Sequence, residues 1–146
     1  MTLSVVLRYR TRRPWAPGPN KLRAWATLAA GNRDAELGIR VVGIRESRAL
    51  NERWRRRAGP TNVLSFPAAP TPGGKELGDL VVCAPMIARE AKEQGKALAA
   101  HWAHMIIHGT LHLLGFDHTR AAEARRMEGQ ERALLARLGI GDPYGD

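Results

Sequence analysis

The sequence holds a single cysteine, Cys83, so no disulfide can form within the chain. That scarcity favours a reducing compartment. Cys83 ends the apolar run LVVC and reads as a buried strand thiol rather than a nucleophile. Long hydrophobic runs are missing too. No segment approaches the run of about 20 apolar residues needed to cross a bilayer. The opening MTLSVVLRYR lacks a basic start, and its apolar stretch is too short for a signal peptide. A cytoplasmic protein without a membrane partner is expected. There is no internal repeat and no long linker, so residues 1–146 read as one domain, long enough to bury a core without disulfides. Acidic residues are outnumbered, 14 against 23 Lys+Arg, which gives a net charge of +9. Such a balance in a small domain favours a polyanionic partner. The plainer account is arginine used as a general surface residue, because overall charge locates no binding face.

Hydrophobic spacing organises the chain. Residues 3–8 read as a strand, and 21–30 as a helix presenting Leu22, Trp25 and Ala29 before Gly31 ends it. Leu37, Ile39 and Val41 alternate with Gly38, Arg40 and Val42, the pattern of a half-buried strand. A helix is expected over 47–57, with Leu50 and Trp54 four apart on its inner face and Gly59-Pro60 as its stop. Residues 63–66 and 77–83 read as strands, separated by a stretch too rich in proline and glycine for either regular element. Pro85 suits the first turn of a helix to about 94. From 98 to 114 the pattern is apolar nearly all round, which predicts a buried central helix. A last helix is expected over 120–138. Four strands and five helices in mixed order predict an α+β domain, one mixed sheet backed by helices.

The chemistry concentrates in HGTLHLLGFDH, residues 108–118. His108 and His112, four apart, project from one helix face a turn from each other. Gly115 offers a left-handed helix stop, after which the chain can bring His118 back towards the pair. Three imidazoles with one position left open is the composition of a catalytic zinc site, placed here at the C-terminal end of the buried helix. The spacing also matches the metzincin protease pattern, except that Gly109 stands where that pattern has its glutamate base. The metal scaffold is therefore expected and the protease mechanism is not.

Other candidates carry less. His101 and His104 share the stripe of His108, but His101 lies about 10 Å along the axis from it and His104 has no glycine turn to supply a third ligand. Both read as packing, supporting or groove-lining residues. The run Arg53, Trp54, Arg55, Arg56, Arg57 invites a nucleic-acid reading, yet helical spacing puts Trp54 in the core and the arginines on a solvated face. Asp117, beside His118, can orient a ligand, act as a base or cap the last helix, and capping is the reading its position favours.

Three segments go further: LNERWRRRAGPTNVLSFP (50–67), LGDLVVCAP (77–85) and HMIIHGTLHLLGFDH (104–118). In this order and spacing they resemble the YbeY family, bacterial metal-dependent endoribonucleases of rRNA maturation. The resemblance implies that His108, His112 and His118 hold one zinc ion. It also singles out Arg55, with His108, as a residue of the reaction. It implies a mixed four-stranded α+β fold, and single-stranded RNA, rRNA and the small ribosomal subunit as partners. The expected activity is metal-assisted hydrolysis in 16S rRNA 3′-end maturation and ribosome quality control. A metzincin-like protease, and a non-catalytic ribosome assembly factor with a structural metal, are the rival readings. Asn62, where many members have aspartate, is a departure that touches none of the proposed ligands.

Overall fold

A computed structural model describes residues 3–116 and 119–145. The elements run β1 (Leu3–Tyr9), α1 (Pro19–Ala30), β2 (Ala35–Val42), α2 (Ile44–Leu50), β3 (Val63–Pro67), β4 (Glu76–Cys83), α3 (Ala84–Glu93), α4 (Leu98–Leu113) and α5 (Ala121–Arg137). The strands form one mixed sheet in the order β1-β2-β4-β3. β1, β2 and β4 are parallel, while β3 returns antiparallel along β4. The α+β class and the mixed sheet expected from the sequence are both present.

Alternation fixes which face each strand shows. Val5 lies opposite Leu37, and Ile39 opposite Leu80, so one face is a continuous apolar surface. Against it lies α4, whose Trp102, Ile106, Ile107 and Leu111 are buried, with α1, α3 and α5 packed around it. Burying each such side chain contributes roughly 1.5–3 kcal/mol, so this helix is the anchor of the fold. The other face is covered in part by α2, over a smaller cluster of Val42, Leu64, Val81 and Cys83. Burial pushes the Cys83 thiol up from its ordinary value, as suits an inert packing group.

One expected element differs. Instead of one helix over 47–57, α2 ends at Leu50 and continues as a single π-helical turn, Asn51–Arg55. Arg56 then takes a left-handed conformation, φ 56°, and its N–H closes the turn on the Asn51 carbonyl. A π turn spends five residues where an α turn spends four, so Trp54 rotates off the stripe that Leu50 begins. Trp54 is 58% exposed rather than buried. Its ring meets Phe66 edge-on at 6.5 Å and carries Arg53 at 5.1 Å. Trp54→Ala should accordingly cost about 1 kcal/mol, the worth of such a surface aromatic contact. A melting experiment showing a loss above about 3 kcal/mol, typical of a buried Trp, would return it to the core.

Candidate metal centre

The C-terminal end of α4 is built as its sequence demands. Leu114 caps the helix and Gly115 follows at φ +100°, a conformation open to glycine without strain. The Gly115 N–H donates to His112 O at 3.0 Å and the Phe116 N–H to Leu111 O at 3.1 Å, the paired bonds of a Schellman turn. His108 and His112 stand in the last two turns, half-buried, with ring centroids 4.8 Å apart and planes at 80°. His118, the third expected ligand, and Asp117 lie outside the described residues.

His108 and His112 line a cleft of about 660 Å³ together with Arg55, Arg57 and Asn62. Local bonds set Arg55, Asn62 and the loop between them in place. Arg55 Nη2 donates to Ser65 O at 2.9 Å, and Asn51 Nδ2 donates to Gly59 O at 2.9 Å across the base of the loop. Asn62 Nδ2 donates to both oxygens of Glu90 at 3.1 Å. A second cavity of about 660 Å³ lies on the open face of the sheet beside Val6, Trp54 and Phe66, and none of the α4 histidines lines it.

Three of the α4 histidines, His101, His104 and His108, meet two carboxylates from neighbouring helices. His101 Nε2 meets Glu90 Oε1 at 2.8 Å. His104 Nε2 meets Glu131 Oε2, and His108 Nδ1 meets Glu131 Oε1 at 3.2 Å. Tyr144 donates its hydroxyl to both Glu131 oxygens, at 3.0 and 2.9 Å. His101 and His104 are both buried against these carboxylates. His104, His108 and Glu131 also place three potential ligand atoms within 4.8 Å of one another. This potential metal group lies on the α5 side of His108 and includes His104, which spacing alone does not favour as a ligand.

Electrostatics follow from burial. Burial pushes the Glu131 carboxyl up, but the hydrogen bonds of His104 and His108 outweigh it and hold it at about 2. Burial draws His104 below its ordinary value against the pull of Glu131. Glu90 is likewise raised by burial, yet lowered overall by His101 and Asn62. Its folded value lies below its unfolded one, so the stability it contributes is present above about pH 4.5 and is lost as pH falls through the folded value. Glu90→Gln should therefore melt below wild type at neutral pH, with the gap closing in acid. A gap constant down to pH 3 would mean the charge contributes nothing.

Neither carboxylate was singled out from the sequence, though a signal existed. Glu131 falls on the buried stripe Met127, Glu131, Leu134, Leu135 of α5, a charged residue at a core position. Glu90 sits beside buried Ile87 and Ala91 on α3 in the same way.

A family model described as Endoribonuclease YbeY matches residues 20–139. The chain belongs to the YbeY endoribonuclease family. It is 54% identical over 136 residues to the Endoribonuclease YbeY of Halorhodospira halophila, covering 88% of each chain. To that of Alkalilimnicola ehrlichii it is 55% identical, over 88% of this chain and 82% of the other. A solution structure of a Thermotoga maritima protein shares the fold, with a TM-score of 0.54 at 20% identity over 99% of both chains. Membership in the YbeY family makes the chain a nuclease, a hydrolase, and a metal site agrees with that. Among the described residues no helix is long and apolar enough to cross a membrane.

Proposed function

We propose that the protein is a zinc-dependent endoribonuclease that cuts single-stranded RNA, with His108, His112 and His118 as the metal ligands. The observation that carries this reading is the sharing of one cleft by the His108–His112 pair and Arg55. The donor set fits zinc. Two imidazoles at helical spacing, half-buried at the mouth of a cleft, suit a borderline metal that must keep an open position. When bound, zinc supplies a Lewis acid for the phosphoryl oxygen and acidifies a coordinated water.

The chain's own residues do the rest. Arg55, its plane fixed by the bond to Ser65, offers further N–H donors to the scissile phosphate and offsets charge that grows on it. Arg57 adds a second cation to the lining of the same cleft, and the net charge of +9 favours a polyanionic partner. Asn62, held by Glu90, presents a polar group there. The rRNA substrate, 16S 3′-end maturation, ribosome quality control, the small-subunit partner and a cytoplasmic setting are part of the same proposal. The name endoribonuclease carried by the relatives, with the basic charge, supports an RNA substrate. The protease alternative is opposed by packing: Gly109, at the position of the missing glutamate, faces the sheet, where an added Cβ would lie 2.8 Å from Leu80.

The test is cleavage of single-stranded RNA with and without a chelator, in wild type and Arg55→Ala. Arg55→Ala should lower the rate about 10²–10³-fold, the cost of losing one transition-state donor, and shift stability by about 1 kcal/mol or less. Normal cleavage by that variant would remove Arg55 from the site. Cleavage indifferent to the chelator would end the metal reading.

A further inference from the structure

Glu131 is the only carboxylate, and with no lysine or arginine beside it the only such charge, among the fully buried described residues. A carboxylate taken wholly out of water persists only with donors around it. Glu131 has three: His104 Nε2, His108 Nδ1 and the Tyr144 hydroxyl. An ionised carboxylate only accepts, so both ring nitrogens facing it must carry hydrogen. The His104 ring agrees independently. Its Nδ1 is buried with no bond partner among the described residues, as befits the bare nitrogen of a ring protonated at Nε2.

The Tyr144 strut is itself anchored. Arg132 Nε pairs with Asp142 at 2.9 Å, Asp142 accepts the Tyr144 N–H at 2.8 Å, and Lys96 Nζ reaches Pro143 O at 3.2 Å. The C-terminal segment is thus fastened over His104, and the carboxylate cannot rotate away from α4.

Resting on the reading of His108 as a metal ligand, we infer that Glu131 is the positioning residue of the metal centre: it holds His108 in the Nδ1–H tautomer, so that the ring ligates through Nε2, with His104 and Tyr144 bracing the carboxylate from behind. Nδ1 and Nε2 lie on different sides of an imidazole. A ring tethered to α5 through the first presents the second towards the cleft that His108 and His112 line. The carboxylate also increases the basicity of the ligating nitrogen through the ring. A metal seated among His104, His108 and Glu131 is the competing arrangement. It would need the hydrogens on both facing nitrogens moved to the far side of each ring, and it would compete with Tyr144 for the carboxylate.

Imidazole ¹⁵N spectra of the metal-free full chain at pH 8, followed by Zn²⁺ titration, separate the two. Wild type should show His108 protonated at Nδ1 and bare at Nε2, and Zn²⁺ should move Nε2 of His108 while leaving His104 in place. Glu131→Gln should bind Zn²⁺ about 10–100-fold more weakly, with His108 partly reverting to the Nε2–H form. Tyr144→Phe should act in the same direction by less. His108 found as Nε2–H in wild type overturns the inference, whether or not Glu131→Gln folds. So does Zn²⁺ that shifts His104, or a Glu131→Gln variant with wild-type affinity. A wild type that takes up no Zn²⁺ sinks the metal reading itself, and this inference with it.

Discussion

His112→Ala should leave a folded protein that neither holds zinc nor cuts RNA. His112 is half-buried at the end of α4, its side chain lining the cleft rather than the core. Its removal opens no large cavity, and a stability loss near 1 kcal/mol is expected, the common size for a single substitution. On the proposed reading the metal, by contrast, loses one of its protein ligands. That should weaken zinc at least as much as the about 10–100-fold typical of losing a supporting residue. Lewis-acid stabilisation of a transition state amounts to several kcal/mol, so cleavage should fall on the order of a thousandfold or more. Metal analysis, thermal melts and RNA cleavage on one preparation decide the matter. Retained zinc with retained cleavage would place the ion elsewhere, and lost cleavage in an unfolded protein would make His112 structural.

Gly109→Glu should fail at the level of the fold. Gly109 is buried where α4 crosses the sheet. A Cβ there would stand 2.8 Å from Leu80 Cδ2 and 3.2 Å from Val63 Cγ2. Leu80 is itself fully buried and has little room to retreat. Overpacking alone costs typically about 1–3 kcal/mol, and an unpaired buried carboxylate adds several more. Gly109→Ala is the comparison to measure. Its added methyl is partly offset by about 1 kcal/mol of helix propensity, so it should destabilise mildly or not at all. A Gly109→Glu protein as stable as wild type, or one cleaving peptides, would mean that the helix presents this position to the cleft.

Most of the fold was legible because its signals are local. Alternation along β2 and the all-round apolar pattern of α4 are each properties of a few neighbouring residues. So was the Gly115 turn, since one glycine seven residues after His108 sits where the helix must stop. The π turn was not legible. Leu50 and Trp54 have the spacing of an α-helix, and only the bonds of Asn51, Ser47 and Glu52 to the 59–61 loop show why the chain unwinds there. The site divides in the same way. His108 and His112 lie four apart on one helix, which spacing alone can pair. Arg55 reaches their cleft through the fold, and it was chosen from a run of arginines by resemblance. Glu90 and Glu131 come from α3 and α5, and no spacing within α4 announces them.

The placing of the histidine pair at the carboxyl end of α4 has an electrostatic side. The aligned peptide dipoles of a helix leave roughly half a negative charge at that end. A dication arriving there meets a favourable pole as well as two imidazoles. A phosphate meets the reverse, since anions settle at helix amino ends. Left to α4 alone, the cleft would turn its substrate away. Arg55 and Arg57 line the same cleft and bring the opposite sign to it. On the proposed reading, the two guanidiniums that line the cleft outweigh the helix end, roughly half a negative charge, and a bound metal adds to an attraction they already exert.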